Sequence, residues 1–169
     1  MKVSILSDTH GFMDEQVLKH LKTSDEIWHA GDIGSIDVLN ILSTLPGQLR
    51  IVFGNIDNTA VRTNTTEHLN FEVQGVKIMI THIADKPPKY NKVVREMIAQ
   101  HKPNILVAGH SHLLKVINDK ENQLLFINPG ACGQQGFHKM RTIINLEIID
   151  GKPQNMAVVD LGKRGQLKQ

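Results

Sequence analysis

Cysteine occurs once in this chain, as Cys132, and tryptophan and tyrosine also occur once each. A lone cysteine cannot close an intramolecular disulfide, which excludes a disulfide-stapled scaffold and agrees with a reducing compartment. Thiolate metal chemistry is absent as well. Aromatic residues make up only 4% of the 169 positions, so a core drawn from the 40% hydrophobic residues must rest on Ile, Leu and Val. No charge sign dominates: 19 Lys and Arg against 17 Asp and Glu leave +2, too little to hold nucleic acid or a membrane by bulk electrostatics. No stretch reaches the roughly 18 uninterrupted apolar residues of a membrane helix. The apolar opening Met1–Leu6 is cut by Asp8 and His10 before a signal-peptide core could form. The expectation is one soluble, cytoplasmic domain over 1–169, with neither membrane nor nucleic acid as partner and a homo-oligomer left open.

What is present is a succession of short apolar runs that each end in a polar or glycine-bearing cluster. Val3–Leu6 has no helical period and reads as a buried strand broken at Ser7-Asp8-Thr9-His10-Gly11. Asp14–Leu21 carries one apolar stripe and reads as a helix, followed by a strand Glu26–Ala30 that closes at Gly31-Asp32. Ser35 suits the N-cap of a helix with Val38, Leu39, Ile41, Leu42 and Leu45, stopped by Pro46-Gly47. Arg50–Phe53 is a third strand and delivers Gly54-Asn55. The order is βαβαβ with the strand ends on a common rim. Ala60–His68 reads as loop, and Phe71–Val73 with Val76–Ile80 as a hairpin about Gln74-Gly75, ending at Thr81-His82. A helix over Tyr90–His101 with Val93, Val94, Met97 and Ile98 on one side precedes a strand Ile105–Ala108 and then Gly109-His110-Ser111-His112. Leu113–Ile117, Leu124–Ile127, Thr142–Ile149 and Met156–Leu161 read as one antiparallel run, and the polar tail Gly162–Gln169 as frayed.

Metal-capable side chains thus sit at five strand ends: Asp8 with His10, Asp32, Asn55, His82, and His110 with His112. Residues two apart in extended chain project to the same side, so each of the two pairs can converge on one centre. Mixed carboxylate, imidazole and amide donors suit borderline divalent metals such as Mn, Fe, Ni or Zn. Any one cluster alone is explained by turn chemistry. Five in this order are not, because solvent-facing turns need no histidine.

In their order, Asp8-Thr9-His10, Gly31-Asp32, Gly54-Asn55, Thr81-His82, Gly109-His110-Ser111-His112 and Asn128-Pro129-Gly130 resemble the calcineurin-like metallophosphoesterase superfamily, in particular its small bacterial and archaeal phosphodiesterases. The resemblance covers Met1 to about Leu161. It implies an α/β fold, a four-layer α/β/β/α sandwich of two mixed sheets, with two divalent metal ions at one rim. Manganese is the ion expected first, with Ni²⁺, Fe²⁺ and Zn²⁺ as alternatives. By the same resemblance one ion takes Asp8, His10, Asp32 and His112, and the other takes Asp32, Asn55, His82 and His110. The implied reaction is hydrolysis of a small phosphoester, most readily a diester, by in-line attack of a hydroxide shared between the ions, with no side-chain nucleophile. Alternatives are a protein-binding scaffold of the retromer-subunit type, whose hallmark would be damaged ligands, and a metal-dependent nuclease, which would need a basic groove.

One position departs from the pattern. Many members carry Gly-Asn-His-Asp or Gly-Asn-His-Glu, whereas this chain reads Gly54-Asn55-Ile56-Asp57. Ile56 cannot protonate a leaving group, a loss on the order of 10² to 10⁴ in rate for poor leaving groups. Asp57 has two readings, orienting His10 or a water, and capping its own turn. Ser7 and Ser111 read as structural, His29 and Trp28 as packed, Cys132 as a buried thiol, and His20, His68, His101 and His138 as surface residues. Arg62 and Lys86 read as solvated loop cations.

Overall fold

A computed structural model describes residues 1–166. In chain order these form β1 (Lys2–Leu6), α1 (Glu15–Leu21), β2 (Glu26–Ala30), α2 (Ile36–Ser43), β3 (Gln48–Val52), α3 (Thr59–Arg62), β4 (His68–Val73) and β5 (Val76–Thr81). They continue with β6 (Asp85–Lys86), β7 (Lys89–Tyr90), α4 (Lys92–His101), β8 (Ile105–Val107), β9 (Lys115–Asp119), β10 (Leu124–Asn128), β11 (Met140–Ile149) and β12 (Lys152–Lys163).

Two five-stranded sheets result, in the orders β12-β11-β1-β2-β3 and β4-β5-β8-β10-β9, while β6 and β7 form a separate small hairpin. Side chains alternate between the two faces of each strand. From β1, β2 and β3, Val3, Ile5, Trp28, Ala30 and Val52 turn towards Ile78, Ile80, Ile105, Val107 and Ile127 of the other sheet, forming the central apolar layer. The neighbours in sequence face outward. Leu6 and Ile27 meet Val17, Leu21, Val38 and Leu42 of α1 and α2, and Met79, Leu106 and Phe126 meet Val94 and Ile98 of α4. Each sheet is therefore covered on both faces, giving the order α/β/β/α, and each fully buried Leu or Ile contributes about 1.5–3 kcal/mol.

β1, β2 and β3 are mutually parallel, as are β5, β8 and β10. Their C-terminal ends carry Asp8, Asp32, Asn55, His82, His110 and His112 to one edge of the sandwich, where the loops are laced together. Asp8 N–H donates to the Gly31 carbonyl (3.0 Å), His10 N–H to that of Asp32 (3.0 Å), and Gly109 N–H to that of His82 (3.0 Å). Helix starts are capped as side-chain chemistry demands, with Asp14, Ser35 and Asn91 accepting from Val17, Val38 and Val94.

The structure departs from the sequence reading in several places. The last third is two hairpins on different sheets and not one antiparallel run: β9 and β10 join the second sheet through a parallel β10–β8 pairing, and β11 pairs with β1 in the first. Local periodicity cannot distinguish these partners. The segment 60–68 begins inside α3, which is capped by Asn58, and His68 already belongs to β4. Val93 is exposed on α4, where Val94 and Ile98 alone are buried. The tail does not begin at Gly162, because β12 continues to Lys163 and the Arg164 N–H donates to the Lys139 carbonyl (3.0 Å). The remainder of that segment, 167–169, lies outside the described residues. Among the described residues no helix is long and apolar enough to cross a membrane.

Candidate metal centre

At the shared edge, two groups of side chains converge. Asp8, His10, Asp32 and His112 offer ligand atoms within 4.8 Å of one another, and Asp32, His82 and His110 do the same. Asp32 is common to both. The His82 Nε2 lies 3.2 Å from Asp32 Oδ1 and 3.1 Å from Asn55 Oδ1, which adds the amide to the second group. In the first, His112 Nε2 is 3.3 Å from Asp8 Oδ1 and 3.3 Å from His10 Nε2, while His10 Nε2 is 3.8 Å from Asp32 Oδ2. All seven residues singled out in the sequence are therefore at one place.

The backbone is bent to bring them there. Asp8, His10, Asp32, His110 and His112 all have left-handed φ, between 49° and 65°. Such conformations are uncommon outside glycine and cost of order 1 kcal/mol or more each. Close approach also restricts the partners. A Cβ added at Gly54 would collide with the Asp32 carboxylate, and one at Gly31 would sit 2.7 Å from His82 Nδ1.

Proton positions follow from the surroundings. His82 Nδ1 faces the Ala30 carbonyl at 2.7 Å, which can only accept, so Nδ1 carries a proton, while Nε2 is placed to donate to Asp32 when it too is protonated and to turn its lone pair to a cation when it is not. Burial opposes charge on His82, but the hydrogen bond and charge of Asp32 prevail and raise its pKa. Burial likewise works against the Asp32 carboxylate, and His82 and the Ile56 N–H outweigh it and hold Asp32 below its ordinary value. His10 is shifted down, burial outweighing Asp32 and Asp8.

Asp8 supplies the test of what this cluster is suited to hold. Its side chain is fully buried, and neither carboxylate oxygen has a hydrogen-bond donor among the described residues. A buried carboxylate without a donor is costly unless a cation compensates it. Oxygen and imidazole nitrogen donors aimed at common points, with no thiolate among them, fit divalent transition-metal ions.

Surrounding residues hold the frame. Asp57 caps its own turn, as one of its two readings has it, and forms no hydrogen bond with His10. Its Oδ2 accepts from Ile33 N–H (3.1 Å) and Gly54 N–H (2.7 Å), and its Oδ1 from Gly34 N–H (2.7 Å), so one carboxylate ties the loop of Asp32 to that of Asn55. Arg62, read from sequence as a solvated cation, instead donates to the carbonyls of Asp57 (2.7 Å) and Gly54 (3.1 Å), with its guanidinium 4.5 Å from the Phe53 ring centre. His29 is buried beneath the centre, bonded to Thr9 Oγ1 (3.0 Å) and the Gly31 N–H (3.2 Å), and burial lowers its pKa to about 4. Ser7 donates to the Ala30 carbonyl (3.2 Å), and Ser111 accepts from Asn128 (3.1 Å). Trp28 and Cys132 are fully buried.

His138 was expected at the surface and is not there. It is buried, edge-on to the His112 ring at 5.3 Å between centres, with its Nε2 on the Gly133 carbonyl (3.1 Å). Its pKa is lowered by burial. The sequence signal was Gly136, where an added Cβ would collide with His112, but glycine two residues before a histidine is too common to reveal that contact. His68 is half-buried and bonds Thr81 Oγ1 at 2.9 Å.

A two-sheet α/β sandwich with carboxylates and imidazoles gathered where both sheets end is the architecture of the metallo-dependent phosphatases. The model of the calcineurin-like phosphoesterase superfamily domain matches residues 1–151, and the chain belongs to that superfamily. The family is dinuclear-metal-dependent, and this chain carries the candidate ligand residues. A protein named probable metallophosphoesterase from Methanothermobacter thermautotrophicus is 28% identical over 136 residues, covering 78% of this chain and 77% of that protein. An archaeal phosphodiesterase of solved structure matches with a TM-score of 0.72 at 20% identity, over 95% of this chain and 100% of the other. Vps29 from Entamoeba histolytica, solved in complex with Zn²⁺, matches with a TM-score of 0.70 at 20% identity, over 95% of this chain and 99% of the other. At such identities the structural likeness speaks for the fold.

Proposed function

We propose that this chain is a metal-dependent phosphodiesterase acting on a small phosphoester. Asp8, His10, Asp32 and His112 hold one divalent cation, and Asp32, Asn55, His82 and His110 hold the other. The observation that carries this reading is the fully buried Asp8 carboxylate, both of whose oxygens lack a hydrogen-bond donor among the described residues. Manganese is the expected ion, with nickel, iron and zinc as alternatives of similar donor preference. When bound, a pair of such ions supplies an activated water and neutralises charge on the phosphoryl oxygens.

The chain's own residues decide which esters react well. His82 is held in one tautomer by Ala30, and Asp57 fixes the spacing between the Asp32 and Asn55 loops. The position after Asn55, where many members carry a histidine, offers no proton to a leaving group. Ile56 has no proton to give, the Asp57 oxygens accept three backbone bonds, and Ser7 and Ser111 are engaged in hydrogen bonds of their own. Esters with aryl or other weakly basic leaving groups, which depart without a proton, are therefore favoured over alkyl esters. Beside the centre a cavity of about 520 Å³, lined by Phe53, Asn55, His82 and Ile83, gives room for an organic group. A single buried cysteine suits action in the cytoplasm.

The test uses metal-stripped protein reloaded with Mn²⁺ and assayed on bis(p-nitrophenyl) phosphate and p-nitrophenyl phosphate, beside Asp32→Asn. Metal-dependent turnover that favours the diester and disappears in Asp32→Asn supports the reading. A wild type no faster than Asp32→Asn would overturn it in favour of a non-catalytic scaffold.

A further inference from the structure

A second cavity, of about 440 Å³, opens beside the candidate centre and shares His110 with it. Three lysines line it: Lys86 and Lys89 from the β6–β7 hairpin and Lys115 from the first position of β9. Against these three cations the lining has a single carboxylate, Asp85. None of the three lysines forms an ion pair among the described residues. Lys86 and Lys89 are moreover register partners, directly opposite each other across the hairpin. Like charges at such a position destabilise the pairing, and a pairing of two residues per strand has little else to offset the repulsion. The cavity also includes Phe126, which is buried in the core behind it. A low-polarity wall under a cationic rim strengthens the field on an entering anion.

A lysine trio that outnumbers the one carboxylate of its cavity and forms no ion pair among the described residues is accounted for by a ligand that brings the counter-charge. Because the cavity meets the centre at His110, that charge and the scissile phosphate fit on one molecule. We propose that this cavity is an anion subsite for a second phosphate group of the substrate, which makes the substrate class an organic phosphodiester bearing an additional phosphate. The substrate role rests on the phosphodiesterase reading above; the anion site does not.

Two arms separate them. In the first, metal-stripped protein is titrated calorimetrically with inorganic pyrophosphate at low ionic strength. Beside it stand Lys86→Glu/Lys89→Glu, Lys115→Glu on a different element, and the control Lys77→Glu/Lys152→Glu near the starts of β5 and β12, at the edge of the sandwich opposite the centre. Wild type and control should bind alike, and both cavity variants about tenfold more weakly or worse, with wild-type affinity falling as salt rises. Absence of binding, equal affinity in the cavity variants, or equal weakening in the control would each refute the site. In the second arm, Mn²⁺-loaded enzyme is offered the 5′-(p-nitrophenyl) ester of thymidine 5′-phosphate with and without a 3′-phosphate. The ratio of kcat/KM values should exceed about ten in the wild type and fall towards one in Lys86→Glu/Lys89→Glu. A wild-type ratio of one refutes the substrate role. Turnover of neither ester, with pyrophosphate binding intact, refutes the phosphodiesterase reading and the substrate role with it, and leaves the anion site standing.

Discussion

Asp57→Ala should destabilise the protein by about 4 kcal/mol and loosen metal binding, although Asp57 is not among the proposed ligands. The side chain is buried and its two oxygens accept from the N–H groups of Ile33, Gly34 and Gly54 at 3.1, 2.7 and 2.7 Å. A hydrogen bond to a charged acceptor contributes about 1.5–3 kcal/mol, so three at face value exceed the expected loss. Water entering the vacated space satisfies part of what is left, which brings the figure to about 4 kcal/mol. Asp57→Asn keeps one oxygen but sets its amide NH₂ against an N–H, and should cost about 2 kcal/mol. The readouts are urea unfolding of the metal-free proteins for the free energy and thermal unfolding for Tm, which should fall by about 10 °C in the alanine variant. Metal affinity is the second readout, because Ile33 and Gly34 follow Asp32 and Gly54 precedes Asn55. A loss below about 1 kcal/mol with unaltered metal affinity would refute the reasoning that this carboxylate spaces the two loops.

Further outcomes follow from other residues. Ile56→His places a proton donor beside Asn55, and should raise turnover of an alkyl phosphomonoester by about 100-fold while leaving a p-nitrophenyl diester nearly unchanged; equal gains on both would contradict the missing-acid argument. Cys132 is fully buried, and burial pushes its thiol up to about 12. Iodoacetamide at pH 8 should therefore leave it unlabelled in the native protein, and rapid labelling would contradict its placement. Burial opposes charge on Asp119, yet donors from Asn122 and Tyr90 and the backbone N–H groups of Asn122 and Glu121 hold its carboxyl below its ordinary value. A depressed carboxyl stabilises the fold above the unfolded value and loses that contribution as pH falls through the folded one. Tyr90→Phe removes the 2.8 Å bond to Asp119 Oδ2, so it should cost about 1.5 kcal/mol at pH 7 and shift the acid loss to higher pH, as seen by unfolding between pH 2 and 7.

The layered architecture was legible because its strands are short, aliphatic and stopped by polar clusters, and because Asp14, Ser35 and the Gln74-Gly75 turn are local signals. Which sheet receives a hairpin is not local. β9 and β11 read alike in sequence, yet one reaches the second sheet through β10 and β8, the other the first sheet through β1. At the candidate centre, residues whose chemistry is unusual for a turn stood out, namely the carboxylates and histidines after apolar runs. Partners supplied by the backbone did not: turn capping by Asp57 is legible and is borne out by its bond from the Gly54 N–H, but its tie to the loop of Asp32 is not legible. Arg62 is likewise defined by the carbonyl groups it binds, and no side-chain pattern announces such partners. His138 was hidden for a related reason, since its neighbour His112 is distant in sequence and the contact depends on how the 133–139 loop folds back.

The central claim is that seven side chains from five strand ends hold two metal ions with Asp32 between them. Equilibrium dialysis against Mn²⁺, followed by elemental analysis, measures this directly. The account predicts two ions per chain for the wild type and at most one, more weakly held, for Asp32→Asn. Fewer than one ion in the wild type, or two in Asp32→Asn, would contradict it.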